Sequence, residues 1–222
     1  MKRQIRSVAI GVLAGAWMAG AAIAQMEFVN TLMPEPAQMS VGNGRLNIAP
    51  GFTVVIDKFH DDRLEDAVHW AMQRLAMQTG VTVQNAAQGG SGALIISVDA
   101  AGEPVQGVDE DESYSLEITG ANAHLHAATD VGAMHGLETL LQLVQSDGQG
   151  FWLPAVTIQD SPRFKWRGLM IDCSRHFEPV GVLLRTLDAM ASVKMNVFHW
   201  HLSDDQGFRM ESKIFPNLTG AG

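Results

Sequence analysis

The sequence predicts an α+β amino-terminal domain over residues 26–159, followed over residues 160–222 by the first part of an α/β unit of the barrel type. Three observations carry this. Tyr114 to Ile118 and His124 to Ala127 alternate apolar and polar residues on either side of Thr119-Gly120-Ala121-Asn122, the pattern of a hairpin with one wet face. Two segments, 63–78 and 131–144, repeat apolar residues at the spacing of one helix face. Past Pro162, two runs that begin apolar and end polar or charged, Leu169 to Phe177 and Asn196 to Gly207, flank an amphipathic stretch from Val180 to Val193. That order reads strand, loop, helix, strand, a parallel βαβ unit whose chemistry belongs where the strands end.

The elements follow in chain order. Lys2, Arg3 and Arg6, an apolar run from Val8 to Ala22 and the small-residue site Ala22-Ile23-Ala24 predict a secretory signal peptide over residues 1–24, with the mature chain starting at Gln25. Without a twin-arginine pair or a lipid-bearing cysteine, the general secretory route to a periplasmic or secreted product is the simplest, with no membrane attachment after cleavage. Residues 25–50 read as loop, with Pro34, Pro36, Pro50 and Gly42-Asn43-Gly44, and short strands follow at Leu46 to Ile48 and Phe52 to Ile56. Asp61-Asp62 caps a helix from Arg63 to Gln78 that Gly80 stops. Ala93 to Val98 is a strand, and the hairpin comes next. Thr129 or Asp130 caps a second helix with Val131, Met134, Leu137, Leu140, Leu141 and Val144 inward, ending at Gly148 and Gly150. Trp152 to Ile158 is a last strand before the boundary at Pro162.

Composition narrows the function. A hydrophobic content of 46% supports packed cores, and a formal charge of −9 argues against nucleic acid, which needs a basic footprint, while leaving neutral, cationic or sugar ligands open. Cys173 is the only cysteine, so an exported product has no internal disulfide. At the end of an apolar strand it reads as a small buried filler rather than a nucleophile.

Several polar clusters read as ordinary surface. His69 has no second ligand one helix turn on, His124 and His126 share a wet strand face without a third ligand, and His199-Trp200-His201 lacks the Glu-bearing helix of a zinc protease. The acidic run from Val108 to Glu112 lacks the Gly and terminal Glu of a calcium loop and reads as a solvated connector. Taken alone, Arg175 with Asp172 is an ion pair closing a loop, and Asp204-Asp205 a cap and turn.

The longer pattern gives two of these residues a second reading. Asp160-Ser161-Pro162-Arg163-Phe164-Lys165-Trp166-Arg167-Gly168-Leu169-Met170-Ile171-Asp172, then Ser174-Arg175-His176-Phe177, then Lys194-Met195-Asn196-Val197-Phe198-His199-Trp200-His201-Leu202-Ser203-Asp204-Asp205-Gln206-Gly207-Phe208-Arg209 closely resembles the family 20 glycoside hydrolases, the β-N-acetylhexosaminidases. Residues 26–159 resemble, in layout, the α+β domain that precedes the catalytic domain in that family. The resemblance implies a (β/α)8 TIM barrel and exo-acting, retaining hydrolysis of terminal N-acetylglucosamine or N-acetylgalactosamine, in which the substrate's own acetamido oxygen is the nucleophile. It implies no cofactor and no metal. It implies that Arg175 grips hydroxyls of the terminal sugar and that Asp204 supports the catalytic acid through a histidine. The family's catalytic pair is an adjacent Asp-Glu, and none follows Asp160 in this sequence. Asp109-Glu110 and Asp111-Glu112 lie in the first domain and do not substitute for it. A barrel of this kind takes ~250 residues, so the expectation is a truncated, inactive amino-terminal portion of such an enzyme. The rival reading is a non-catalytic carbohydrate-binding or interaction protein with a truncated barrel.

Overall fold

The computed structural model describes residues 28–85 and 93–220, so the predicted signal peptide lies outside the described residues. The elements run β1 (Gln38–Ile48), β2 (Thr53–Lys58), α1 (Asp62–Thr79), β3 (Gln84–Asn85), β4 (Leu94–Ala100), β5 (Tyr114–Ile118), β6 (Ala123–Thr129), α2 (Asp130–Gln142), β7 (Gln145–Asp147) and β8 (Gly150–Asp160). They continue with β9 (Gly168–Asp172), α3 (Val180–Ser192), β10 (Val197–His201) and a terminal turn of helix, α4 (Asn217–Gly220).

The first eight strands form one sheet in the order β1-β8-β5-β6-β4-β2-β3, with β7 folded onto β8. The predicted hairpin is present as β5 against β6, antiparallel with Leu116 opposite Leu125. The sheet is mixed, however: β2, β4 and β6 run parallel to one another. The helix α1 carries the chain from β2 to β3, which also pairs with β2 in parallel, and a crossover of that kind is what parallel neighbours require.

α1 forms where its signals lie. The Asp61 carboxylate accepts the Leu64 N–H at 2.8 Å, and Gly80, at φ 70°, returns its N–H to the Ala76 carbonyl at 2.8 Å. Leu64, Val68, Ala71 and Leu75 face inward from α1, as do Val131, Leu137, Leu140 and Leu141 from α2. Both helices therefore cover one sheet face, over a core that includes Leu94, Ile96, Leu116 and Leu125. The opposite face carries exposed Glu117, His124 and His126, the last 3.1 Å from Asp99.

Two boundaries differ from the sequence reading. Residues 38–45, read as loop, extend β1, because β8 supplies a long antiparallel partner and the Gly42-Asn43-Gly44 signal is absorbed as a register shift between Val41 and Arg45. α2 stops at Gln142 rather than at Gly148, because residues 145–147 pair with β8.

Beyond Pro162, β9 and β10 pair in parallel, with Gly168 opposite Val197 and Asp172 opposite His201, and α3 connects them. Leu183 and Met190 of α3 are buried, whereas Leu169 and Met170 of β9, Leu184 and Leu187 of α3, and Trp200 of β10 are exposed. A buried polar joint ties this unit to the larger sheet. Lys194, in the left-handed region at φ 59°, sends its ammonium to the Tyr114 hydroxyl at 2.8 Å and to Asp160 at 2.9 Å. The solvated-connector expectation for residues 108–112 holds for exposed Asp109, which meets Lys165, but fails for Glu112, which is buried against Arg167.

Candidate active site

β9 ends because Asp172 turns it. Its Oδ1 accepts the backbone N–H groups of Ser174 and Arg175, each at 3.0 Å, an Asx turn that bends the chain back over the strand end. The same turn lays the Arg175 guanidinium on its founder, Nη1 to Asp172 Oδ2 at 2.7 Å.

β10 ends in a closed loop. The Arg209 N–H returns to the Leu202 carbonyl at 2.8 Å and the Asp204 N–H to the Gly207 carbonyl at 3.3 Å. The two loops are bound to each other. The Ser174 hydroxyl donates to the Gly207 carbonyl, Arg209 Nε to the Cys173 carbonyl at 3.2 Å, and the Cys173 N–H to the His201 carbonyl at 3.0 Å. Gly207 has φ 83°, and a Cβ there would stand 2.3 Å from the Ser174 carbonyl oxygen, so glycine is what lets the loops approach.

This brings together the two residues singled out by the resemblance. Arg175 Nη2 lies 2.6 Å from Asp204 Oδ2. That oxygen is also 3.3 Å from His201 Nε2, while Oδ1 accepts the Asp205 N–H at 2.8 Å. Hydrogen bonding from Asp205, then from His201, with the Arg175 charge behind them, lowers the Asp204 carboxyl to about 2. The Arg175 N–H and guanidinium likewise hold Asp172 below the usual carboxylate range, and Asp172 and Asp204 together raise Arg175. Both carboxylates are therefore anionic at neutral pH. The Arg175 side chain is 59% exposed against 26% for Asp204. A guanidinium fixed on one side by two carboxylates and open on the other can offer its remaining donors to adjacent neutral hydroxyls in a set geometry.

The ion pair read between Arg175 and Asp172 is present, and Asp204 does sit in a turn, so the modest readings were right as local descriptions. Sequence reasoning missed that Arg175 bridges two carboxylates, and that His201 reaches Asp204 from three residues before it. The strand-end position of Asp172 ahead of Ser174-Arg175 was the available signal for the first. Cys173 is 2% exposed with the Trp200 indole N–H on its sulfur at 3.3 Å, a buried filler as read. His199 and His201 stack edge to face with ring centroids 6.0 Å apart.

Comparison with known proteins finds two family models in succession along the chain. Residues 30–161 match the model of glycosyl hydrolase family 20, domain 2, and residues 164–222 match that of the glycosyl hydrolase family 20 catalytic domain. A β-hexosaminidase of Vibrio furnissii is 43% identical over 113 residues, 51% of this chain and 18% of that protein. The N,N'-diacetylchitobiase of Vibrio harveyi is 33% identical over 202 residues, 90% of this chain and 21% of its own length. Among solved structures, the chitobiase of Flavobacterium johnsoniae superposes with a TM-score of 0.78 at 45% identity, covering 84% of this chain and 29% of that one. The exo-β-N-acetylglucosaminidase of Vibrio harveyi in complex with N-acetylglucosamine gives 0.72 at 31%, covering 86% and 28%. The chain thus spans about a fifth of the length of these curated relatives. With both family models matched in order along its length, the chain belongs to glycosyl hydrolase family 20.

Proposed function

We propose that this chain is the amino-terminal part of an exported, exo-acting β-N-acetylhexosaminidase that removes terminal N-acetylglucosamine or N-acetylgalactosamine by substrate-assisted, retaining hydrolysis. The observation that carries the proposal is the meeting of Arg175 and Asp204 at the carboxy-terminal ends of two adjacent parallel strands, 2.6 Å apart. In an α/β barrel that is the end where substrate sits. The exposed apolar side chains of β9, α3 and β10 support the barrel reading, because parallel strands are normally covered on both faces.

In this reading Arg175, braced by Asp172 and Asp204, holds sugar hydroxyls and so fixes the terminal residue. Asp204 keeps a negative charge that orients a histidine next to the catalytic acid and helps set that acid's pKa. The acid itself, the Glu of an adjacent Asp-Glu pair, is not among residues 161–222.

The test is direct. The polypeptide encoded by the gene should carry an Asp-Glu pair downstream of Gly222 and hydrolyse an aryl N-acetyl-β-glucosaminide, while the 222-residue chain by itself should not, for want of a proton donor to the leaving oxygen. Turnover by the 222-residue chain would sink the assignment of the acid. A gene product with no such pair would leave only a carbohydrate-binding role.

A further inference from the structure

Glu112 closes the acidic run 108–112, comes from the larger sheet unit and is 5% exposed. Its two oxygens reach the residues that immediately precede β9 and β10. Arg167 donates Nη2–H to Oε2, and Asn196 donates Nδ2–H to Oε1 at 3.1 Å. Those two residues are also bonded to each other. The Arg167 N–H donates to Asn196 Oδ1, and the Asn196 N–H to the Arg167 carbonyl, both at 3.0 Å. His135 of α2 stands 3.3 Å from Oε2. Burial, with Lys194 and Arg167 nearby, keeps its imidazole neutral, so Arg167 is the charge that balances the buried carboxylate.

The strand pair needs such a fixture. β9 and β10 share five rungs of parallel pairing, and several of their apolar side chains are exposed, so burial alone specifies their register weakly. A slip of one residue would move a strand by about 3.3 Å and turn its side chains to the other face. Arg175 and Asp204, on loops at the far ends, would then no longer meet.

We infer that Glu112 is a positioning residue: one carboxylate of the layered sheet holds the starts of β9 and β10 level and thereby sets the Arg175–Asp204 geometry at their other ends. Its effect on the strands stands on the structure alone, and its effect on turnover rests on the hexosaminidase reading.

The experiment follows backbone hydrogen exchange in the 222-residue chain for Glu112→Ala and the isosteric Glu112→Gln, with Asp109→Asn as a control in the same loop. The reporter is the Cys173 amide, which bonds to the His201 carbonyl across the far end of the pair, and the amides of β5 and β6 are the internal reference. Cys173 exchange should quicken about ten-fold or more in both Glu112 variants with the reference unchanged, and Asp109→Asn should behave as wild type. Wild-type protection of Cys173 in both Glu112 variants overturns the inference. So does loss of reference protection in both, because Glu112 is then a general stability residue. In the gene-encoded polypeptide, Glu112→Gln should raise KM for an aryl N-acetyl-β-glucosaminide about ten-fold with a smaller change in kcat. Unchanged kinetics with quickened exchange overturns the positioning role in catalysis. A wild type that does not hydrolyse the substrate removes the enzyme reading and leaves the exchange result to decide on Glu112.

Discussion

Arg175 Nη2 and Asp204 Oδ2 lie 2.6 Å apart although a whole helix, α3, separates them in the chain. The contact exists because two strands end side by side, and because Ser174 and Gly207 tie the loops that follow them. The guanidinium is consequently held from one side before any ligand arrives, and the cost of ordering it on binding is reduced.

Replacing Arg175 by Ala in the gene-encoded polypeptide should weaken the ground state and the transition state alike. Loss of its charge-assisted bonds to sugar hydroxyls should lower kcat/KM roughly 10- to 150-fold. Steady-state kinetics on an aryl N-acetyl-β-glucosaminide checks this, with most of the loss expected in KM.

Asp204→Asn should act on the other parameter. It keeps the shape and removes the charge, so kcat should fall and the alkaline limb of its pH profile should move while KM changes little. Asp204 itself does not titrate in that range. Its folded-state value of about 2 lies below the ordinary ~3.9, so its contribution to stability is complete above that value and is lost as pH falls through about 2. An unchanged kcat and pH profile would reduce Asp204 to a turn residue.

Stability should depend on pH through His135. Burial first, then the Lys194 and Arg167 charges, depress its pKa to about 4. The unfolded chain binds the proton at a higher pH, near 6.5, so stability should fall as pH drops from about 6.5 to about 4 and level off below. The shift corresponds to roughly 2 to 4 kcal/mol. His135→Asn, which keeps a donor without a titration, should flatten that part of the curve in urea unfolding measured across the window.

Gly207→Ala should unseat the loop that carries Asp204. A side chain at φ 83° is strained, and its Cβ would fall 2.3 Å from the Ser174 carbonyl oxygen. The expected cost is about 1 to 3 kcal/mol, confined to the β9–β10 unit. Hydrogen exchange should show the β10 end opening while the β5–β6 hairpin stays protected.

The hairpin, α1 with both its caps, and the strand–helix–strand unit were legible because each is written in local periodicity and cap chemistry. The parallel pairing of β2, β4 and β6 was not, since adjacency in a sheet is a long-range property that alternation does not encode. The length of β1 was hidden for a similar reason: Gly42-Asn43-Gly44 looks like a turn until β8 is there to pair across it. At the site, Arg175 and Asp204 were named separately on the strength of the family pattern, and their contact with each other is tertiary. Glu112 misled because four of the five residues from 108 to 112 are acidic, which reads as solvated surface, and nothing local shows that Arg167 and Asn196 arrive to bury its last carboxylate.

The buried thiol of Cys173 gives the protein a built-in clock. It is the only sulfhydryl in the chain, it is 2% exposed, and it lies under the Trp200 indole at the junction of β9 and β10. A thiol-specific reagent in native buffer reaches it only in the moments when this corner, Trp200 included, moves aside. The second-order modification rate, set against that of a free thiol, therefore reads the fraction of time this corner of the molecule stands open, without denaturant or an engineered probe.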